Sequence, residues 1–209
     1  MPAGQAEPFS VALAELRDRL RDGAFTPGAR IAATEVAETL RLSATPVREA
    51  LSRLAGEGLL EDRRGQGFFL RTLSGLEVAD LYRMSLEVID IAQASERARA
   101  ARPASGPDTG GLRLDPVATV ERLLAEWVAE AGSRILSLNF RTLQTQLGPI
   151  RRVESALIRD LAVEAAEMAE ARDAGVRRDA QTRFHHRRIA LADRLAALAY
   201  RGGEPPPQI

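Results

Sequence analysis

The residues best suited to chemistry in this sequence are polar groups gathered at the head of one short helix. In LSATPVREALSRLAGEGLL, residues 42–60, Thr45, Arg48 and Ser52 recur at three- and four-residue spacing and therefore share a face. Val47, Ala50, Leu51 and Leu54 form an apolar stripe on another face. Short hydroxyls beside one guanidinium suit hydrogen bonding to phosphates and to base edges in a DNA groove. Proline is tolerated where a helix begins, because its missing N–H has no partner there, so the pattern predicts Thr45 as N-cap and Pro46 as first helical residue. The next stretch, LLEDRRGQGFFLR, predicts strands over 59–63 and 68–71. Arg63 and Arg64 sit at the tip between them, and Gly65 and Gly67 supply the positive φ of a tight hairpin and a close backbone approach to a narrow groove.

Other chemistries find little to work with. The 209 residues contain no cysteine, which excludes disulfides, thiolate metal sites and thiol catalysis. The two histidines, His185 and His186, are adjacent and would point about 100° apart on a helix, so they do not easily serve one metal. No glycine-rich phosphate loop follows a strand and no set of titratable groups assembles, so neither an enzyme nor a cofactor is expected. The opening MPAGQAEPFS lacks a basic region followed by an apolar core, and no window nears 18 apolar residues, so a cytoplasmic protein without membrane contact is expected. Net charge is zero and every basic residue is arginine. Ten arginines face ten acidic residues up to residue 75, and nineteen face nineteen beyond it, so nucleic-acid binding has to rest on local placement.

The elements that position these groups follow from periodicity. A helix over 9–22 ends at Gly23, Pro27 and Gly28 make a type II turn, and a second helix covers 34–41. Only residues 42–44 then remain before the third helix, a link short enough to force the steep crossing of a helix-turn-helix, with the hairpin as its wing. Ser74 and Glu77 form a capping box that opens a long helix to about residue 101. RPASGPDTGGLRLD is a glycine- and proline-rich loop, Asp115 caps a helix with Pro116 at its first position, and Gly132 ends it. Helices over 134–147, 150–173 and 176–200 complete the chain. The expected fold class is mainly α: a winged helix-turn-helix of three helices and a two-stranded wing over 8–73, an antiparallel all-helical bundle over 74–201, and a disordered tail over 202–209.

The segment GAFTPGARIAATEVAETLRLSATPVREALSRLAGEGLLEDRRGQGFFLR resembles the winged-helix domain of GntR-type bacterial transcription regulators. The matching parts are T-P-V-R-E-A-L at 45–51, E-G-L-L at 57–60 and the wing glycine Gly67. The resemblance implies a third helix in the major groove, a wing tip at the minor groove, and DNA contacts at Ser43, Thr45, Arg48 and Gly67. Ala44 departs from the arginine usual in the family, which removes a contact worth about 1–3 kcal/mol when bidentate to a base. The second domain resembles the FadR type of ligand-binding bundle through Arg83, Leu86 and Glu87 in R-x-x-L-E and through AEAGSRIL at 129–136. Members of that type hold a divalent metal through an aspartate and three histidines, and the metal holds a carboxylate effector. Here Val120, Leu124 and about Ala162 occupy ligand positions, so the resemblance implies a dismantled metal site.

Several residues admit two readings. His185 is either a relic of the last metal ligand or a solvated or core-edge histidine, Trp127 walls a pocket or fills core, and Arg83 and Glu87 form a simple i, i+4 pair or line a site. RRVESALIRDLAVEAAEMAEARD, residues 151–173, reads as the wet face of a bundle helix in preference to a recognition surface. The function expected is a homodimeric regulator binding a pseudo-palindromic site on double-stranded DNA through Ser43, Thr45, Arg48, Ser52, Arg63, Arg64 and Gly67. Its bundle dimerises and takes an organic-acid or acyl effector without metal near Arg83, Glu87, Leu124, Trp127 and His185. The competing reading is a winged-helix protein-docking scaffold whose bundle only dimerises.

Overall fold

A computed structural model describes residues 7–95 and 115–201. Its first part contains α1 (Pro8–Arg21), β1 (Arg30–Ile31), α2 (Ala33–Leu40), α3 (Ala44–Gly56), β2 (Leu60–Arg63) and β3 (Gly67–Leu70). The strands form an antiparallel sheet in the order β1-β3-β2, with Arg63 paired to Gly67 at the wing tip. β1 was not anticipated: two residues carry no periodicity, and Ile31 becomes a strand residue because β3 offers Phe68 as its partner. Thr26 accepts a hydrogen bond from Ala29 N–H at 3.1 Å with Gly28 at φ +69°, as a type II turn requires.

The apolar stripe of α3 behaves as its spacing predicts. Val47, Ala50, Leu51 and Leu54 are fully buried among Leu16 and Leu20 of α1 and Val36 of α2. At about 1.5–3 kcal/mol per buried aliphatic side chain, this stripe is what holds α3 to the domain. Its start differs from the expectation. Ser43, not Thr45, is the N-cap, Ala44 is the first helical residue, and Pro46 stands third. All of the first positions lack an intrahelical acceptor for their N–H, so proline in the third loses no bond either. The Ser43 side chain makes no capping hydrogen bond.

The rest of the described chain is helical: α4 (Gly75–Ala94), α5 (Pro116–Ala129), α6 (Arg134–Arg152), a 3-10 turn (Glu154–Ala156), α7 (Leu161–Glu170), α8 (Ala174–Ala190) and α9 (Ala192–Ala199). The Ser74–Glu77 capping box is formed in both directions, and Asp115 and Ser133 cap α5 and α6. Three boundaries differ from expectation. α4 stops at Ala94, where Ser95 turns extended. α6 runs through Pro149, since Ile150 and Arg151 are drawn into the core. The single helix expected over 150–173 is instead the end of α6, a 3-10 turn and α7, and that over 176–200 breaks at Leu191. The glycine- and proline-rich loop and the tail lie outside the described residues.

Two apolar cores result. One joins α1, α2, α3 and the wing; the other joins the helices from α4 onward around Tyr82, Leu124, Trp127, Leu147 and Phe184. Between them α1 packs on α6 at a backbone-to-backbone contact: a Cβ on Gly148 would lie 2.1 Å from the Arg21 carbonyl oxygen. Gly148→Ala is therefore expected to force α1 and α6 apart and to cost about 1–3 kcal/mol, the range of an overpacked core. Urea unfolding checks this; an unchanged midpoint would show that the seam is soft. Among the described residues no helix is long and apolar enough to cross a membrane.

Candidate functional site

On α3 the polar and apolar faces oppose each other. Thr45, Arg48 and Ser52 fall within an arc of about 60° and are exposed, and the buried stripe centres about 140° away. Ser43, free of capping duty, is exposed just ahead of them. Glu49 lies about 40° beyond Thr45, outside that arc, and is also exposed. The sequence reading passed it over. A carboxylate repels phosphates and can accept from the amino group of cytosine.

The charge pairing within the first domain is uneven. Arg17 and Arg53 both bond Glu57, Arg19 bonds Glu15, Arg21 pairs with Asp18 and Asp22, and Arg71 pairs with Glu77. Arg63, expected at the wing tip as a DNA contact, is folded back: its Nε and Nη2 donate to Glu61 at 3.1 and 2.9 Å and it lies 4.3 Å over the Phe69 ring. Arg30, Arg41, Arg48 and Arg64 have no ion-pair partner among the described residues, and all four are exposed. Arg64 occupies the turn closed by Gln66 N–H to Arg63 C=O at 2.8 Å, with Gly65 at φ +75°.

Two of those four cations were missed because their signal is tertiary. Arg30 crosses the wing: its Nε would be 3.0 Å from a Cβ on Gly67, whose φ is +101°. Gly67 is thus needed for its backbone angle, which a side chain rarely adopts. Arg41 ends α2 in the left-handed region at φ 54°, with Leu42 N–H on Ala37 C=O at 2.9 Å and its own N–H on Glu38 C=O at 3.2 Å, the Schellman pattern that glycine usually completes. Keeping a side chain there costs about 1 kcal/mol or more. Arg41→Gly is expected to raise Tm while weakening DNA binding, by scanning calorimetry and fluorescence anisotropy; a rise in both would free Arg41 of any binding role.

The residues expected to line an effector pocket divide between solvent and interior. Arg83 donates to Asp80 at 2.6 Å, not to Glu87, and both Arg83 and Glu87 are exposed on α4. Ser85, two positions from each and so on the other side of the helix, is buried. Leu124 and Trp127 are core residues, Trp127 carrying the Arg177 guanidinium 4.9 Å over its ring. His185 is neither solvated nor at the core edge but wholly buried. Its Nδ1 lies 2.7 Å from the Gln181 carbonyl, which can only accept, so Nδ1 carries the proton; Nε2, 3.0 Å away, accepts from the Ser85 hydroxyl. Burial, opposed by the Gln181 hydrogen bond, lowers its pKa from 6.5 to about 3.

A divalent metal does not fit this interior. Both imidazole nitrogens are engaged, Val120 and Leu124 offer only carbon, and among the described residues no group of three or more suitable side chains converges. What fills the space is an ionic cluster inside the run read as a wet face. Arg188 grips Glu154 with Nε and Nη2 at 2.9 and 2.7 Å and donates from Nη2 to Glu164 at 2.7 Å. Tyr82 donates to Glu154 at 2.7 Å. Burial alone would lower the Arg188 pKa; the charge of Glu154 and the bonds from both carboxylates hold it above the usual arginine value. Burial, with the Glu154 charge, raises that of Tyr82.

A family model described as bacterial regulatory proteins, gntR family, matches residues 10–70. The Nta operon transcriptional regulator of Aminobacter aminovorans is 45% identical over 76 residues, 35% of this chain and 36% of that relative, so the chain aligns with little more than a third of the relative's length. An uncharacterized HTH-type transcriptional regulator from the TAR-I ttuE-ttuC' intergenic region of Agrobacterium vitis is 31% identical over 124 residues, 57% of this chain and 72% of that relative. The solved structure of E. coli McbR/YncC is similar at a TM-score of 0.67 over 91% of this chain and 99% of that one, at 20% identity, a likeness of fold. The chain belongs to the GntR family of bacterial transcriptional regulators, with a winged helix-turn-helix followed by a helical domain.

Proposed function

We infer that this regulator binds a pseudo-palindromic operator as a homodimer, placing α3 in the major groove and the wing tip at the minor groove. The observation that carries the reading is the distribution of unpaired charge: Arg41 lies on the turn before α3, Arg48 on α3 itself, Arg64 at the wing tip and Arg30 beside Gly67. Arg48, with Thr45 and Ser52, reads base edges and adjacent phosphates; Ser43 adds a hydroxyl, and Arg64 with Gly67 serves the wing. Arg63 has a smaller part, since Glu61 already neutralises it. With zero net charge, attraction to DNA is local, and a dimer doubles the phosphate contacts across two half-sites.

Leu76, Met84 and Ile91, each more than half exposed, fall within about 80° on α4, a surface that a second copy would cover. The helical domain then dimerises and takes a small effector without metal. Hydroxyl-radical footprinting on DNA flanking the protein's own gene tests the reading. Two protected half-sites centred about one helical turn apart, roughly 10 bp, are expected. No protection on any such fragment, with the fold intact by circular dichroism, would favour a docking scaffold and overturn it.

A further inference from the structure

Among the described residues, Arg41 is the only one other than glycine to hold a positive φ, at 54°. Side chains seldom stay in that region unless the fold or a task requires it, and glycine in the same place would relax the turn. The turn itself does not need arginine. Its closing bonds, Arg41 N–H to Glu38 C=O and Leu42 N–H to Ala37 C=O, are made by the backbone, and Leu42 packs against the core of the first domain. The guanidinium has no ion-pair partner among the described residues, and Arg41 is exposed. The strained backbone thus carries a side chain that holds nothing in the folded chain.

Its place narrows what that side chain can meet. Arg41 stands two residues ahead of Ser43, the N-cap of α3, and in a helix-turn-helix the first residues of the second helix face base edges. From there to Arg48 the exposed surface has no other cation: Ser43 and Thr45 carry hydroxyls, and Ala44, where the family's pattern has an arginine, offers a methyl. Glu35 and Glu38 on α2 and Glu49 on α3 are exposed and have no ion-pair partner among the described residues, a setting that weakens attraction to phosphate. A phosphate contact could also be made from many exposed positions without backbone strain. A base contact has to come from one place, which gives the strain at Arg41 a reason.

We propose that Arg41 is a specificity-determining residue, donating two parallel hydrogen bonds to O6 and N7 of a guanine that lies beside the bases met by Thr45 and Arg48 in each half-site. The proposal rests on the operator reading above, which asks only charge of Arg41, and assigns it a base. The left-handed turn then has a use as a mount. With its backbone closed by both hydrogen bonds and anchored by Leu42, the guanidinium is presented from a fixed point, and binding does not have to order a loop first.

The test is selection from a randomised duplex pool by the full chain, wild type against Arg41→Gly, followed by anisotropy titrations at matched salt on the selected site and on the same site with the guanine replaced. Arg41→Gly relieves the left-handed turn, so a loss of reading cannot come from a loss of fold. The wild type is expected to select a pseudo-palindrome with one guanine in each half-site that the variant does not select, the rest of the motif being common to both. Replacing that guanine is expected to weaken the wild type about 10- to 100-fold and the variant less than about threefold. The same motif with the same penalty for both proteins would overturn the proposal and leave the operator reading in place. So would a variant weakened uniformly on every sequence, which is the signature of a phosphate contact. Enrichment of no sequence by the wild type would remove the operator reading, and this assignment with it.

Discussion

Glu154→Ala is expected to destabilise the protein by about 3–5 kcal/mol in urea unfolding, the range for breaking a buried ion pair. The cause is the set of groups it orphans. Arg188 loses a bidentate partner, keeping only Glu164 and the Phe184 carbonyl, and the Tyr82 hydroxyl loses its acceptor at 2.7 Å inside a sealed core. A double variant, Glu154→Ala with Arg188→Met, is expected to recover much of the loss, because removing both charges also removes the unpaired one. A single-variant loss under about 1 kcal/mol would mean that the cluster is hydrated and that the interior is more open than its burial indicates.

The second large effect is a dependence of stability on pH that follows from His185. Its folded pKa, about 3, lies below the unfolded value of 6.5, so the unfolded chain binds the extra proton. The stability it contributes is complete above pH 6.5 and is lost as pH falls from there toward 3. The loss attributable to this one residue is about 2 kcal/mol at pH 5 and about 3 kcal/mol at pH 4. His185→Gln keeps much of the volume without a titrating group, so its unfolding free energy is expected to fall less steeply over this window. Parallel slopes for the two proteins would show His185 to be solvated.

Sequence reasoning reached furthest where one segment carries its own information. The stripe of α3, the Ser74–Glu77 box and the Asp115 cap each need only neighbours within a few residues, and each is formed. It failed where a residue's role depends on a distant partner. Arg151 and Glu154 read as solvated because they sit in a charged run; only Arg188, 34 residues on, and Tyr82, 72 residues back, make burial tolerable for Glu154. β1 exists through its pairing with β3, and the Ser43 cap follows from the left-handed turn at Arg41, which no glycine announces. In the candidate interface the α3 positions were readable from spacing. The pairing of Arg63 and the exposure of Arg30 and Arg41 were not, since charge partners across a sheet or a turn leave no periodic mark.

The central claim is that the exposed side of α3 reads DNA, and Arg48 is its test. In anisotropy titrations on the footprinted fragment, Arg48→Ala is expected to weaken binding about 10- to 100-fold, the worth of one bidentate base contact. Arg53→Ala serves as control, because Arg53 lies on the same helix but is held by Glu57, and it is expected to stay close to wild type. Equal affinity for wild type and Arg48→Ala at matched salt would contradict the account.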